Sequence, residues 1–408
     1  MAKKNSKKTV PELRFRGFTD PWEQRQLGGM AQRVPRSNLN NECSRVLTAS
    51  AEAGLIDQQE YFQKRIASHD LSHYYLLKRG DFAYNHSSSG SAALGIIKRL
   101  DAYDSGCLST LYIVFHPKQG IDSDYLLHYF ESSAWHGDVA GMVTEGARNH
   151  GLLNISPDTF FTARFSFPSL PEQRRIGDFF SILDNLIAAA ERQETLLRQK
   201  KQAYLQLMFP REGETQPRLR FSGFSGDWEQ RQSSELFVPV KENGHSDLPV
   251  LSATQSEGMV YRDDQSRDIK FKKDNLGSYK LVRAGDFVIS LRSFQGGFEL
   301  SDKTGIVSPA YTVFTHTGCS SQDNAYWKQY FKRKFFIESL KTVTFGIRDG
   351  KAISFSDFSS LKCIFPSLPE QRLIGQFFKT LDSLIVAAEE RTKALKETKS
   401  AYLQRMFV

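Results

Sequence analysis

Apolar residues recur every seven positions along two long stretches of this chain. Ile176, Leu183, Ala190, Leu197 and Tyr204 form one series, and Ile374, Leu381, Ala388, Leu395 and Tyr402 form the other. Phe179, Phe180, Leu186 and Ile187 extend the first series sideways, as Phe377, Phe378, Leu384 and Ile385 do the second. Sustained heptads predict long helices that meet along a coiled-coil seam. Each stretch opens on Ser-Leu-Pro-Glu, at 169–172 and 367–370. That fits a capping box with proline in the first turn. About 38 residues rising 1.5 Å each make a rod of roughly 57 Å. Small residues at 188–190 and 387–388 permit close approach of two such rods. The expected helix-pair interface is Ile176, Phe180, Leu183, Ile187, Leu197 and Tyr204 against Ile374, Phe378, Leu381, Ile385, Leu395 and Tyr402. An ordinary amphipathic helix packed on its own domain is the alternative. The strict spacing and the duplicate favour a pair.

The two helices are part of a larger repeat. Residues 167–210 and 365–408 align without a gap at 27 identities in 44 positions. Upstream, PELRFRGFTDPWEQRQL (11–27) matches PRLRFSGFSGDWEQRQS (217–233). Between these segments the pattern changes from heptads to alternation. LLKRGDFAYN (76–85) echoes LVRAGDFVIS (281–290), and GCLSTLYIVF (106–115) echoes GIVSPAYTVF (305–314). EGARNHGLLNISPDTF (145–160) parallels FGIRDGKAISFSDF (345–358). A turn of Gly or Asp followed by alternating apolar residues predicts strands entered from tight turns. The loops between them differ, Asn85–Gly90 in one copy and Ser290–Gly296 in the other. The expected fold is mixed α+β: two pseudo-symmetric recognition domains separated by two long antiparallel helices. Its expected divisions are a lysine-rich tail (1–10), a first domain (11–168), a first helix (169–209), a second domain (210–366) and a second helix (367–408).

Composition narrows the functional classes. A chain of 408 residues with 40% hydrophobic and 12% aromatic content builds more than one core. No apolar run approaches the roughly 20 residues of a membrane span. The lysine-rich start lacks the apolar segment of a signal peptide, so a soluble cytoplasmic protein is expected. Cys43, Cys107, Cys319 and Cys363 are scattered, as suits reduced thiols. His69 and His73 stand at i, i+4 without a third ligand, and no metal is expected. The formal charge of +8 favours a polyanionic partner. Phosphate loops, nucleophile elbows, zinc-protease motifs and the Asn-Pro-Pro-aromatic grip of amino-methyltransferases are all missing. A protein without its own active site is expected.

The duplicated Phe-Pro-Ser-Leu-Pro-Glu-Gln-Arg helix start closely resembles that of Type I restriction-modification specificity (S) subunits. The Leu-Arg-Phe-x-Gly-Phe…Trp-Glu-Gln-Arg segment, the Gly-Asp-Phe turn and Gly305–Tyr311 resemble the same family. The first copy departs at the last motif, reading Cys107-Leu-Ser-Thr-Leu-Tyr112. The resemblance implies two target recognition domains, each reading half of an interrupted duplex DNA site. It implies an antiparallel helix pair that sets the spacer and forms the interface for two methyltransferase (M) subunits, with restriction (R) subunits joining. No cofactor then belongs to this chain: S-adenosylmethionine sits on the M subunits, ATP and Mg on the R subunits. The complex would be bacterial or archaeal and nucleoid-associated when bound to DNA.

Chemistry nominates the DNA-contacting residues. Arg148 and Arg348 stand on glycine turns, where an arginine reaches guanine or phosphate, and Asn149, His150 and Asp349 follow them. A solvated turn arginine or a structural ion pair is the competing reading. The loops after the Gly-Asp-Phe strands add Asn85, His86, Ser87 and Ser88 in one copy and Ser290, Arg292, Ser293 and Gln295 in the other. Lys270, Lys272 and Lys273 fit phosphate clamps, or else a solvated basic face. The functional alternative is an assembly scaffold that binds partner proteins through the duplicated helices and reads no DNA.

Overall fold

Among the described residues, alternating apolar residues and turn glycines build the same ten-strand arrangement twice. The structure is a computed structural model and describes residues 10–64, 67, 70–87, 93–143, 153, 155–254, 258–264, 273–290, 297–318, 321–343 and 353–408. The chain divides into unit 1, residues 1–190 with 390–408, and unit 2, residues 191–389.

Unit 1 carries strands β1 (Glu23–Gln26), β2 (Ala31–Arg33), β3 (Leu47–Ser50), β4 (Gly54–Asp57), β5 (Tyr75–Lys78), β6 (Phe82–Asn85), β7 (Ile96–Arg99), β8 (Ser105–Leu108), β9 (Ile113–Pro117) and β10 (Arg164–Phe167). A four-stranded antiparallel sheet runs β2-β9-β6-β7, with pairs β1-β10, β3-β4 and β5-β8 beside it. Unit 2 carries β11 (Glu229–Gln232), β12 (Phe237–Pro239), β13 (Leu251–Thr254), β14 (Gly258–Tyr261), β15 (Lys280–Val282), β16 (Phe287–Ile289), β17 (Phe298–Leu300), β18 (Gly305–Val307), β19 (Thr312–His316) and β20 (Lys362–Phe365). Its sheet runs β12-β19-β16-β17, with pairs β11-β20, β13-β14 and β15-β18. The register repeats as well: Phe82 faces Phe115 and Phe287 faces Phe314. These rings stack at 5.4 and 5.3 Å. Aromatic cross-strand pairs of this kind stabilise register beyond the area they bury.

The long helices span Leu170–Leu207 and Leu368–Arg405, 38 residues each. Each unit holds the first half of one helix and the second half of the other. Within unit 1, Phe179 meets Tyr402 at 5.0 Å and Asp184 takes Lys399 at 2.6 Å. Within unit 2, Tyr204 meets Phe377 at 5.0 Å and Lys201 reaches Asp382 at 2.6 Å. Partner numbers fall as helix numbers rise, so the segments run antiparallel in each unit. Two expectations are corrected here. Leu186 and Leu384 do not fill the seam but are 41% and 51% exposed. The carboxylates of Glu172 and Glu370 are taken up by arginines far away in sequence and are not simply turned back onto their own helix starts.

Those arginines explain the repeated motifs. Arg14 binds Glu172 with two hydrogen bonds of 2.6 and 2.7 Å, and Arg220 binds Glu370 at 2.7 and 2.8 Å. The fork of a guanidinium matches both oxygens of one carboxylate. The next motif residue, Gln173, donates to Pro168 O and accepts from the Asp122 amide, and Gln371 does the same with Pro366 and Asp323. The helices Ser123–Glu131 and Asn324–Lys332 are thereby docked onto the starts of the long helices. Gly177 makes the close approach possible: a Cβ there would lie 2.7 Å from Asp122 Oδ1 and 2.9 Å from the Tyr125 amide.

Candidate nucleic-acid interface

The exit of β6 and of β16, where recognition loops are expected, is set by the Gly-Asp-Phe turn. Gly80 and Gly285 adopt φ of 88° and 99°, a left-handed conformation that glycine takes without a Cβ clash. The following Asp81 and Asp286 are buried. Each carboxylate accepts from the amide three residues back, Lys78 at 2.7 Å and Arg283 at 2.8 Å. Each aspartate amide donates back to the same residue's carbonyl. In unit 1 Asp81 also receives Arg36 and His116. The turn is structural, and it fixes where the sheet delivers the residues after it.

The described candidates other than Lys273 sit at those exits. Asn85 closes β6, half-buried, and its side-chain oxygen accepts from the Ser87 amide at 3.2 Å. Ser87 is half-buried beside it. Lys273 opens a short 3-10 segment, Lys273–Ser278. Ser88, Arg148, Asn149, His150, Lys270, Lys272, Arg292, Ser293, Gln295, Arg348 and Asp349 lie outside the described residues, as do His69 and Cys319. From the expected DNA-contacting set the structure therefore brings together Asn85, His86 and Ser87 at the β6 exit, while Ser290 at the β16 exit is buried.

The helix candidates fall on the inner side of their helices. Ile176, Phe180 and Leu183 lie in the core of unit 1, and Ile374 and Phe378 in that of unit 2. Leu381 and Ile385 are buried, while Ile187, Leu197, Tyr204, Leu395 and Tyr402 are half-buried. Cys43, Cys107 and Cys363 are buried free thiols. Burial pushes Cys107 up to about 12 and Cys363 to about 11, which keeps both protonated and unreactive.

Much of the basic character is used internally. Arg99 pairs with Asp101 and Asp124 at 2.7 Å each, and Arg283 with Glu242 at 2.6 Å. A cluster that sequence reasoning missed joins His128, Glu131 and Asp184, a donor set that by type suits a metal. The Lys399 ammonium already lies 2.8 Å from Glu131 and 2.6 Å from Asp184, so the chain supplies its own cation. Burial raises the Glu131 pKa, but the hydrogen bond from His128 and the charge of Lys399 outweigh it and bring it down to about 2. In unit 2 the matching positions are Gln329 and Lys332, with Gln329 donating to Asp382 at 3.0 Å. Four partners that only the fold assembles left no motif to find.

Comparison with known proteins adds family context. Residues 227–397 match the family described as Type I restriction modification DNA specificity domain. The MjaVIII Type I restriction enzyme specificity subunit of Methanocaldococcus jannaschii is 22% identical over 316 residues, 72% of this chain and 72% of its own length. The putative MjaX specificity subunit of the same organism is 21% identical over 407 residues, 93% of this chain and 91% of its own. The crystal structure of a Type I restriction-modification system S subunit from M. genitalium superposes with a TM-score of 0.56 at 12% identity, covering 98% of this chain and 99% of that one. That last likeness shows a shared fold.

Proposed function

We propose, from the premise that this chain is a specificity subunit of the Type I restriction-modification family, that each unit reads one half of an interrupted duplex DNA site. One observation carries this reading: a single strand topology, down to the Phe-Phe register, is used twice while the loops leaving it diverge. A scaffold gains nothing from two different loop sets on one frame. A reader of two unlike half-sites requires them, because base choice resides in the few side chains that reach the groove.

The long helices set the spacer between half-sites and dock two methyltransferase subunits, and restriction subunits join them. The close similarity of the two helix segments, 27 identities in 44 positions, supports symmetric docking of two like partners. S-adenosylmethionine, ATP and Mg reside on those partners, and this chain does no chemistry itself. No helix among the described residues is long and apolar enough to cross a membrane.

The test is sequencing of N6-methyladenine in DNA modified by this chain together with its methyltransferase subunit. A bipartite motif with a fixed gap is expected. Arg148→Ala should relax one half of it and Arg348→Ala the other. A contiguous motif, or methylation by this chain alone, would overturn the reading.

A further inference from the structure

His86 is the first residue beyond β6, and both of its ring nitrogens face carbonyl oxygens. Nδ1 lies 2.8 Å from Leu153 O, and Nε2 lies 2.8 Å from Leu111 O. A carbonyl oxygen only accepts, so both contacts are hydrogen bonds only when both nitrogens carry hydrogen. A neutral ring would set one nitrogen lone pair against a carbonyl lone pair. The backbone adds a third bond, with the Leu153 amide donating to His86 O at 2.8 Å. The titratable group packed on the ring is Tyr84, 5.8 Å away, whose phenol donates to Leu94 O. Among the described residues no carboxylate pairs with this imidazole, and the two partners its ring nitrogens face are backbone carbonyls.

Three segments distant in sequence thus meet at one side chain: the exit of β6, the turn before β9, and the return segment at Leu153. Unit 2 fastens its return segment differently. There Thr312 Oγ1 donates to Ile353 O at 3.0 Å, and the residue after Ser290 is Leu291. We infer that His86 is a positioning residue for half-site reading by unit 1. As a doubly donating imidazolium it holds the β6 exit, with Asn85 and Ser87 on either side, against the other two segments. This inference rests on the DNA-reading function proposed above.

The experiment uses the full chain with its methyltransferase subunit. Methylation rates are compared for the cognate duplex and for duplexes with one substitution in either half-site. His86→Phe keeps a ring and removes both donors. It should lower discrimination roughly tenfold at one half-site, the scale of one charged hydrogen bond, and leave the other unchanged. Thr312→Val should relax the opposite half-site. His86→Arg, a planar cation with several donors, should recover discrimination relative to His86→Phe. Nitrogen NMR of histidine-labelled protein, with His86 assigned by difference from the Phe variant, should show hydrogen on both ring nitrogens. Wild-type discrimination in His86→Phe, loss at both half-sites, both variants relaxing the same half-site, or a neutral His86 ring would each overturn the inference. A wild-type chain that shows no bipartite preference overturns the DNA-reading function instead, so the two failures are separable.

Discussion

Arg14 and Glu172 stand 158 positions apart and share two short hydrogen bonds with little solvent, Glu172 being 1% exposed. Removing one member of such a pair leaves a buried charge uncompensated. Arg14→Ala should therefore cost about 3–5 kcal/mol of stability, read as a lower urea midpoint. Adding Glu172→Gln to that variant should recover part of the loss, since the orphaned charge is then gone. A loss below about 1 kcal/mol, the range of exposed pairs, would show that the pair is merely superficial. The repeat marks this contact in sequence, because Arg220 and Glu370 recur in the second copy. His86 carries no such mark, since its counterpart is a leucine and its two acceptors are backbone carbonyls of no particular residue type.

At the scale of elements, the helix pair depends on close approach at its ends as much as on its apolar seam. Glycine inside an exposed helix normally costs about 1 kcal/mol relative to alanine. At Gly177 the balance reverses, because the added methyl would press on Asp122 Oδ1 and the Tyr125 amide, both fixed by the cap of the Ser123–Glu131 helix. Gly177→Ala should lower the melting temperature, with an overpacking cost of about 1–3 kcal/mol. A raised melting temperature would mean that the docked helix moves aside without cost. The heptads made the long helices legible, because spacing along one helix reports directly which residues share a face. They did not distinguish Leu183, buried in a core, from Leu186, left exposed, since what covers a face depends on the neighbouring element.

For the whole molecule, the function proposed above makes the long helices a spacer. Inserting one heptad after Leu197 and one after Leu395 keeps the seam in phase and adds about 10 Å to each helix. Methylated sites should then keep both half-sites and show a longer gap, read from the same N6-methyladenine sequencing. An unchanged gap would mean that the helices do not set it. Three changes of pattern, from alternation to heptads, back, and to heptads again, already outlined this architecture. The offset between the copies showed that it is built twice.

What the sequence determined alone was local and periodic: helices from a seven-residue repeat, strands from alternation after Gly-Asp turns, and a family likeness from motifs whose partners recur. Tertiary structure alone decided which distant residues meet. Phe407 packs on Tyr125 at 5.6 Å in unit 1, and Phe209 on Tyr326 at 5.5 Å in unit 2. Leu13 donates to Arg405 O across nearly the whole chain, and Leu219 donates to Leu207 O across a short turn. The same bond closes both units, although the chain between its ends differs so greatly in length. Periodicity records which side of an element is apolar. It carries no record of which surface comes to cover that side, because that contact forms only when segments far apart in sequence fold against each other.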